Sequence, residues 1–281
     1  MNTAQVKPKA KLNQIRIRLA ANDEEIRAAQ ELRYKIFYEE YGALPSDEIK
    51  TQKRDFDQYD EHSEHLIVTD EIEGNEVIVG TYRLLTQDSA LKCGQFYSES
   101  EYNIDTLKNS NLKLLELGRS CVAEDYRARP TMQLLWQGIV DYMIRYDIDV
   151  LFGCASLHST DIDELAPALS YLYHYHKAPG HICTRALDDR YIDMNIIPKE
   201  DLDAKSVFSN LPPLIKGYMR IGAFVGDGAV IDPEFQTTDV CIIAKTDMVA
   251  QRYRKHFERK VEQEFSDVEL SVDIASNKDK A

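Results

Sequence analysis

No stretch of this 281-residue chain approaches the run of about 18 apolar residues that spans a bilayer. The opening MNTAQVKPKAKLNQIRIRLA also lacks the apolar core of a secretory signal. These absences lead us to expect a cytoplasmic protein with no membrane anchor, leaving open peripheral contact with the inner face of the cell membrane. Basic residues are in deficit, with 34 Lys and Arg against 48 Asp and Glu, a net charge of −14. That balance argues against nucleic acid as a partner, because phosphate binding needs a basic field. Cysteine is scarce: Cys93, Cys121, Cys154, Cys183 and Cys241 are scattered, and no two have the spacing of a zinc site or a redox motif. They read as reduced, mostly buried thiols. His174 and His176 lie two apart on a predicted helix and so point to different sides, and no metal is expected there.

What is present is ordinary globular composition, 43% hydrophobic and 29% charged. Residues 1–13 read as a flexible lead-in, 14–263 as a single domain, and 264–281 as a disordered acidic tail without periodicity. Within the domain, Gln14 to Ala20 alternates as a strand, and Asn22 caps a helix predicted from about Glu24 to Tyr41. Leu44 to Glu64 reads as a long polar loop. A hairpin follows, with strands near 65–70 and 76–85 joined at Glu73-Gly74-Asn75. Further strands are expected at 112–122, 150–155 and 240–244, and helices at 131–145, 161–174 and 248–262, the last of them basic. Leu211 to Gly228 reads as irregular. The order is that of an α/β fold on one mixed central sheet flanked by helices.

The chemistry concentrates in Leu114–Val122, LLELGRSCV. Alternation puts Leu115, Leu117 and Cys121 on one face, with Glu116, Gly118 and Ser120 on the other and Arg119 near the end. A carboxylate in an apolar strand is costly unless a charge or a reacting proton accompanies it. Glu116 is therefore either half of an ion pair with Arg119 or a general base. Arg33 lies four residues before Phe37 on an apolar helix face and wants an anion, either a protein carboxylate such as Asp57 or Asp60 or a substrate. Asp57 and Asp60 share one side of a helical turn, as a solvated acidic loop or as a pocket for a cationic substrate. Arg83 ends a strand, either at a substrate carboxylate or at the surface. Ser156, just past a buried strand, is a candidate proton donor to a leaving group, with a turn or capping role as its alternative. Asp239 either binds substrate or caps structure.

The strand-and-helix order resembles the GNAT acyltransferase fold. Arg33 and Phe37, Asp57 and Asp60 in DFDQYD, Arg83 in GTYRLL, and Glu116 with Arg119 in ELGRSCV are similar to the pattern of acyl-homoserine-lactone synthases. The C-terminal half, with LSYLYHYHKAP, LPPLIKGYMRIGAFVGDGAVID and TTDVCIIA, instead resembles bacterial L-ornithine Nα-acyltransferases. The resemblance implies an enzyme that transfers a 3-hydroxyacyl chain from acyl carrier protein to the α-amine of L-ornithine, giving lyso-ornithine lipid. No bound cofactor is implied. Glu116 and Ser156 would be catalytic, and Arg33, Phe37, Asp57, Asp60, Arg83, Arg119 and Asp239 would meet substrate. The segment Tyr126–Thr131 lacks the glycines with which acetyl-CoA-dependent members cradle a diphosphate. Its Arg127 and Arg129 suit the single phosphate of a carrier protein's phosphopantetheine. Acylation of another amino acid, lactone-type signal synthesis and a non-catalytic lipid- or carrier-binding module are the alternatives; a buried carboxylate is of little use to the last.

Overall fold

The computed structural model describes residues 15–127, 131–246, 248 and 271–273. In chain order the strands are β1 (Arg16–Leu19), β2 (Glu64–Ile72), β3 (Asn75–Thr86), β4 (Tyr102–Asn103), β5 (Leu114–Val122), β6 (Val150–Leu157), β7 (Arg185–Ala186), β8 (Phe224–Asp232), β9 (Thr237–Lys245) and β10 (Ser271–Asp273). They join in one mixed sheet, ordered β10-β1-β2-β3-β5-β6-β9-β8-β7-β4. The helices are α1 (Asp23–Tyr34), α2 (Asp47–Gln52), α3 (Gln87–Cys93), α4 (Asp105–Lys108), α5 (Thr131–Tyr146), α6 (Ile162–His176), α7 (Ala204–Asn210) and α8 (Pro213–Arg220).

The α1 start is set by Asn22, whose side chain accepts from the Glu25 amide at 3.0 Å, with three acids in the first turn. After Tyr34 the helix widens into a π-helical stretch, Lys35–Glu40, and the Tyr41 amide reaches back to the Ile36 carbonyl. The β2–β3 hairpin turns at Glu73 and Gly74, both with φ in the left-handed region, which the right-handed strand twist favours.

One face of the sheet carries the main apolar core, with buried Asp70 bonded to Tyr126 at its edge. Ile17, Leu66, Leu84, Leu115 and Leu117 pack there against Leu134, Leu135 and Ile139 of α5, Leu169 and Leu172 of α6, and Ile215 of α8. Helix α5 lies so close that a Cβ at Gly138 would stand 2.6 Å from Ile17 Cδ1. The other face carries α1, α3, α4 and the 55–63 loop, and holds the cluster of buried arginines and acids around Asp60 and Glu116.

Two irregularities shape that second face. Strands β5 and β6 run parallel only through Leu114↔Val150, Leu115↔Leu151 and Glu116↔Phe152, and then part although both continue. Gly153 sits at the parting point, where a Cβ would lie 2.2 Å from the Leu117 carbonyl oxygen. On its other side β5 bulges. Thr81 opposes Cys121 and Arg83 opposes Gly118, so Arg119 and Ser120 together face Tyr82, with Arg119 at φ 52°.

The bulge corrects the simple alternation expected of β5. Val122, not Cys121, joins Leu115 and Leu117 in the apolar core, and Cys121 lies among Arg33, Asp55 and Arg127. Ser120 hydrogen-bonds Tyr82, itself bonded at 2.7 Å to Tyr218 on the apolar face. The segment expected to be irregular, 211–228, instead supplies α8 and the first half of β8. Within the tail expected to be disordered, Ser271–Asp273 pairs in parallel with β1. The lead-in, the helix expected over 248–262 beyond Met248, and Arg129 lie outside the described residues.

Candidate active site

Arg33 turns inward from the last turn of α1 and is 1% exposed. Its two terminal nitrogens donate to Asp60 at 2.9 and 2.7 Å, one of them also reaches the Asp55 carbonyl at 2.5 Å, and its Nε stands 2.7 Å from Asp55 Oδ2. Asp60 also accepts from Gln30, the Asp57 amide and Arg83. Arg83 donates to Asp57 at 2.6 Å. Arg119 is paired with Asp55 and Asp57, each at 3.2 Å. The bulge thus aims a third guanidinium into the same cage, where Tyr97 and Phe235 each lie 4.8 Å from it by ring centroid. Three arginines meet three aspartates, and the cage balances. Despite its burial, Asp60 titrates far below the usual carboxylate range, held there by Arg33 and Arg83. His65, with Nε2 3.1 Å from the Asp60 carbonyl, is pushed down to about 4 by burial and stays neutral.

Glu116 does not pair with Arg119. Its two oxygens accept from the amides of Tyr97 and Ser98 and from Ser98 Oγ, at 2.8, 2.7 and 2.5 Å. Burial raises its pKa, and those donors hold it back. The carboxylate therefore anchors the 3₁₀ turn Tyr97–Ser100. From Ser98 the polar line runs on, because Cys154 Sγ lies 3.5 Å from Ser98 Oγ. Beyond it, Cys154, Glu101 and Asp239 bring a ligand atom each within 4.8 Å of one another. Asp239 accepts from Thr237 at 2.9 Å and from Ser156, which opposes it in the β6–β9 register. Burial raises both acids, Glu101 to about 7 with Asp239 as its next cause, and Asp239 to about 6. Cys154 is held as a thiol by burial beside Glu101.

A model of the Acetyltransferase (GNAT) domain matches residues 32–137. The chain is 44% identical over 252 residues to an L-ornithine Nα-acyltransferase of Brucella abortus (strain 2308), covering 88% of this chain and 90% of that one. It is 44% identical over 245 residues to that of Rhizobium meliloti (strain 1021), covering 85% and 83%. The chain belongs to the L-ornithine Nα-acyltransferase family. Among solved structures it is similar to an N-acyl amino acid synthase from uncultured soil microbes, 11% identical with a TM-score of 0.48, covering 88% of this chain and 98% of that one.

The acyltransferase thus carries the GNAT fold expected from its sequence, and it gathers Arg33, Asp57, Asp60, Arg83 and Arg119 into one cage. Asp57 and Asp60, read as a solvated acidic loop or as a pocket for a cationic substrate, are engaged by arginines, and Asp60, 4% exposed, is not solvated. Phe37 stands on the π-helical stretch, edge-on to Phe235 at 5.7 Å. Arg127 is held at the surface by both oxygens of Glu40, donates Nε to the Val122 carbonyl at 2.9 Å and stacks on Tyr41, so it is no free arm for a phosphate. The amides of Ala123, Tyr126 and Arg127 are taken by Val79, Ala123 and Glu124 carbonyls and are not free to stabilise an oxyanion. Sequence reasoning missed Asp55, Tyr97, Ser98, Glu101 and Cys154. Asp55 opens the DFDQYD run that contained the two named acids. For the others no local pattern exists, since folding alone brings them to Glu116.

Among the described residues no helix is long and apolar enough to cross a membrane. Glu101, Cys154 and Asp239 form the one group among them with metal-ligand spacing. It offers one soft and two hard donors and no imidazole.

Proposed function

We propose that this acyltransferase moves a 3-hydroxyacyl chain from the phosphopantetheine thioester of acyl carrier protein to the α-amine of L-ornithine, yielding lyso-ornithine lipid. The observation that carries this reading is the opening between β5 and β6, which begins at Glu116 and is bordered by buried carboxylates. A thioester lying in that opening meets the β6-facing edge of Leu117–Val122, whose backbone has no strand partner there. Amide groups on that edge would stabilise the oxyanion. The amine nitrogen attacks the carbonyl carbon, the C–N bond forms and the C–S bond breaks. The ammonium proton passes to Glu116 through the Ser98 hydroxyl, because both Glu116 oxygens are already engaged. Ser156, half-buried beside Asp239, protonates the departing thiolate and takes in its place the second proton that the nitrogen loses as the amide forms, so that one proton ends on sulfur and one on Glu116. The glycine-free Tyr126–Thr131 segment supports a carrier-protein donor over coenzyme A.

The test incubates purified protein with long-chain 3-hydroxyacyl carrier protein and a panel of amino acids, with products read by mass. N-acylornithine should dominate, and the CoA thioester of the same chain should be turned over more slowly. Equal or faster use of the CoA thioester would overturn the donor, and a preferred product on another amino acid would overturn the acceptor.

A further inference from the structure

The buried acids of the second face are not all answered by arginine. In the cage, three guanidiniums match Asp55, Asp57 and Asp60. At the β6–β9 end, Glu101 and Asp239 are 3% and 6% exposed. Among the described residues, no N–H or O–H donor reaches Glu101 Oε2. Arg190, the nearest cation to Glu101, stands off at 3.9 Å and spends its nitrogens on the Ser100 and Ile231 carbonyls. Asp232 adds further negative charge nearby, Arg119 acts on Asp239 from the cage side, and Cys154, a neutral thiol, gives Glu101 a weak S–H hydrogen bond but no charge. Two carboxylates this close, with no cation between them, are built to receive one.

The ends of the polar line match a diamino acid. Glu116 and Ser98 lie at one end, and Glu101 and Asp239 at the other, linked through Cys154. Cys154 and Ser156, on β6 between the two ends, are both half-buried. Resting on the reading of an ornithine acceptor, we infer that Glu101 and Asp239 receive the side-chain ammonium of the acceptor and thereby select a dibasic amino acid over its neutral isostere. The pair holds the distal nitrogen while the α-nitrogen is left beside Ser98 and Glu116. A site that loses its charged partner to an isostere is left with unpaired buried acids, and this is the strongest form of discrimination available to a binding pocket.

The test compares L-ornithine with L-norvaline, which lacks only the terminal ammonium, using one acyl donor and the wild type, Glu101→Gln and Asp239→Asn. The wild type should favour ornithine in kcat/KM by about 10²-fold or more. Each variant should bring that ratio within about tenfold by raising the ornithine KM, while the norvaline turnover of Glu101→Gln, which does not touch Ser156, stays near that of the wild type and reports that it is folded. A wild type indifferent to the two acceptors overturns the inference while the acylation of ornithine stands. Variants that acylate norvaline normally and keep the ornithine preference overturn it too. Failure of the wild type to acylate ornithine overturns both readings. Should the variants not fold, calorimetry on the wild type near pH 6.5 decides: ornithine should displace a proton from the pair and norvaline should not, and equal proton release refutes the site. Chelator-treated protein should keep its preference; a preference lost and restored by zinc alone would make the pair a metal ligand and refute the ammonium.

Discussion

The two ends of the charged face are built on opposite rules. At the α1 end, every acid in the cage has a guanidinium and every guanidinium an acid, and Asp60 alone accepts from Arg33, Arg83 and Gln30. At the β9 end, Glu101 and Asp239 face each other with Arg190 at arm's length and Arg119 acting on Asp239 from the cage side. The first arrangement is complete without a ligand and holds α1, the 55–63 loop, β3 and the β5 bulge together. The second is incomplete without a cation. Burial is similar at both ends, so charge balance, rather than depth, separates scaffold from binding site.

The largest expected effect tests the cage. Asp60→Asn leaves Arg33 and Arg83 short of one buried carboxylate, and breaking a buried pair in this way costs about 3–5 kcal/mol. Urea denaturation should show that loss. Asp239→Asn should show none, or a small gain, since it removes a repelled charge and keeps an oxygen for Thr237 and Ser156. Equal losses at both positions would break the comparison. Next in size is Glu116→Gln. As the base acting through Ser98, its loss should lower kcat by about 10²-fold or more. Normal turnover at pH 7 would leave Glu116 only its role of holding the Tyr97–Ser100 turn.

Much of the cage was legible in the sequence because its parts sit in short, dense motifs. Arg33 four residues before Phe37 and the ELGR strand each announce buried charge locally, and the acids of DFDQYD offer partners for it. The pairing was not legible. The Glu116–Arg119 pair, one of the two readings of that strand, fails because Arg119 occupies a bulge at positive φ, which no residue type in LGRS demands. The same bulge moved Cys121 across the sheet. The 211–228 segment hid a strand because Gly226 and Gly228 mask its alternation: a Cβ at Gly226 would meet Thr184 Oγ1 at 2.3 Å, and at Gly228 the Tyr191 ring at 2.4 Å. Glu101 was invisible for a different reason. It lies in SESE, an acidic run that reads as surface, and only the return of β9 beside it buries the carboxylate.

The two ends should also answer pH with opposite signs. The cage acid Asp60 is lowered in the folded state, so its contribution is present above the ordinary carboxylate pKa and is lost as the solution turns acid. Glu101 and Asp239 are raised, to about 7 and about 6, so their contribution is present below the ordinary carboxylate pKa and is lost as pH rises through 6 to 7. Arg190, Arg119, Asp232 and Cys154 face this pair. The Tm of a Glu101→Gln/Asp239→Asn double variant should therefore gain on the wild type between pH 5 and pH 8. Saturating ornithine should close that gap by restoring the wild type. A gap that is flat with pH, or that favours the wild type at pH 8, would show that the pair is answered by a cation within the protein.

The smallest effect concerns the donor side, where Arg127 and Glu40 form a surface version of the cage. Their side chains are 31% and 32% exposed, and such pairs are worth about 0–1 kcal/mol. Arg127→Ala should therefore cost little stability. The kinetic outcome depends on whether Glu40 is a partner or a competitor. The guanidinium is already neutralised by Glu40 and has its Nε on the Val122 carbonyl, so a donor phosphate must displace Glu40 to reach it. Arg127→Ala should then raise the KM for acyl carrier protein by less than about threefold, within the worth of an exposed pair. Glu40→Gln should lower that KM by a similar factor and steepen its dependence on salt, because the freed charge would face the acidic carrier protein. A tenfold rise in donor KM for Arg127→Ala, with Glu40→Gln unchanged, would make Arg127 a phosphate ligand in its present position. It would also show that a balanced pair on this face can bind substrate, which is the point at which the contrast between the two ends would fail.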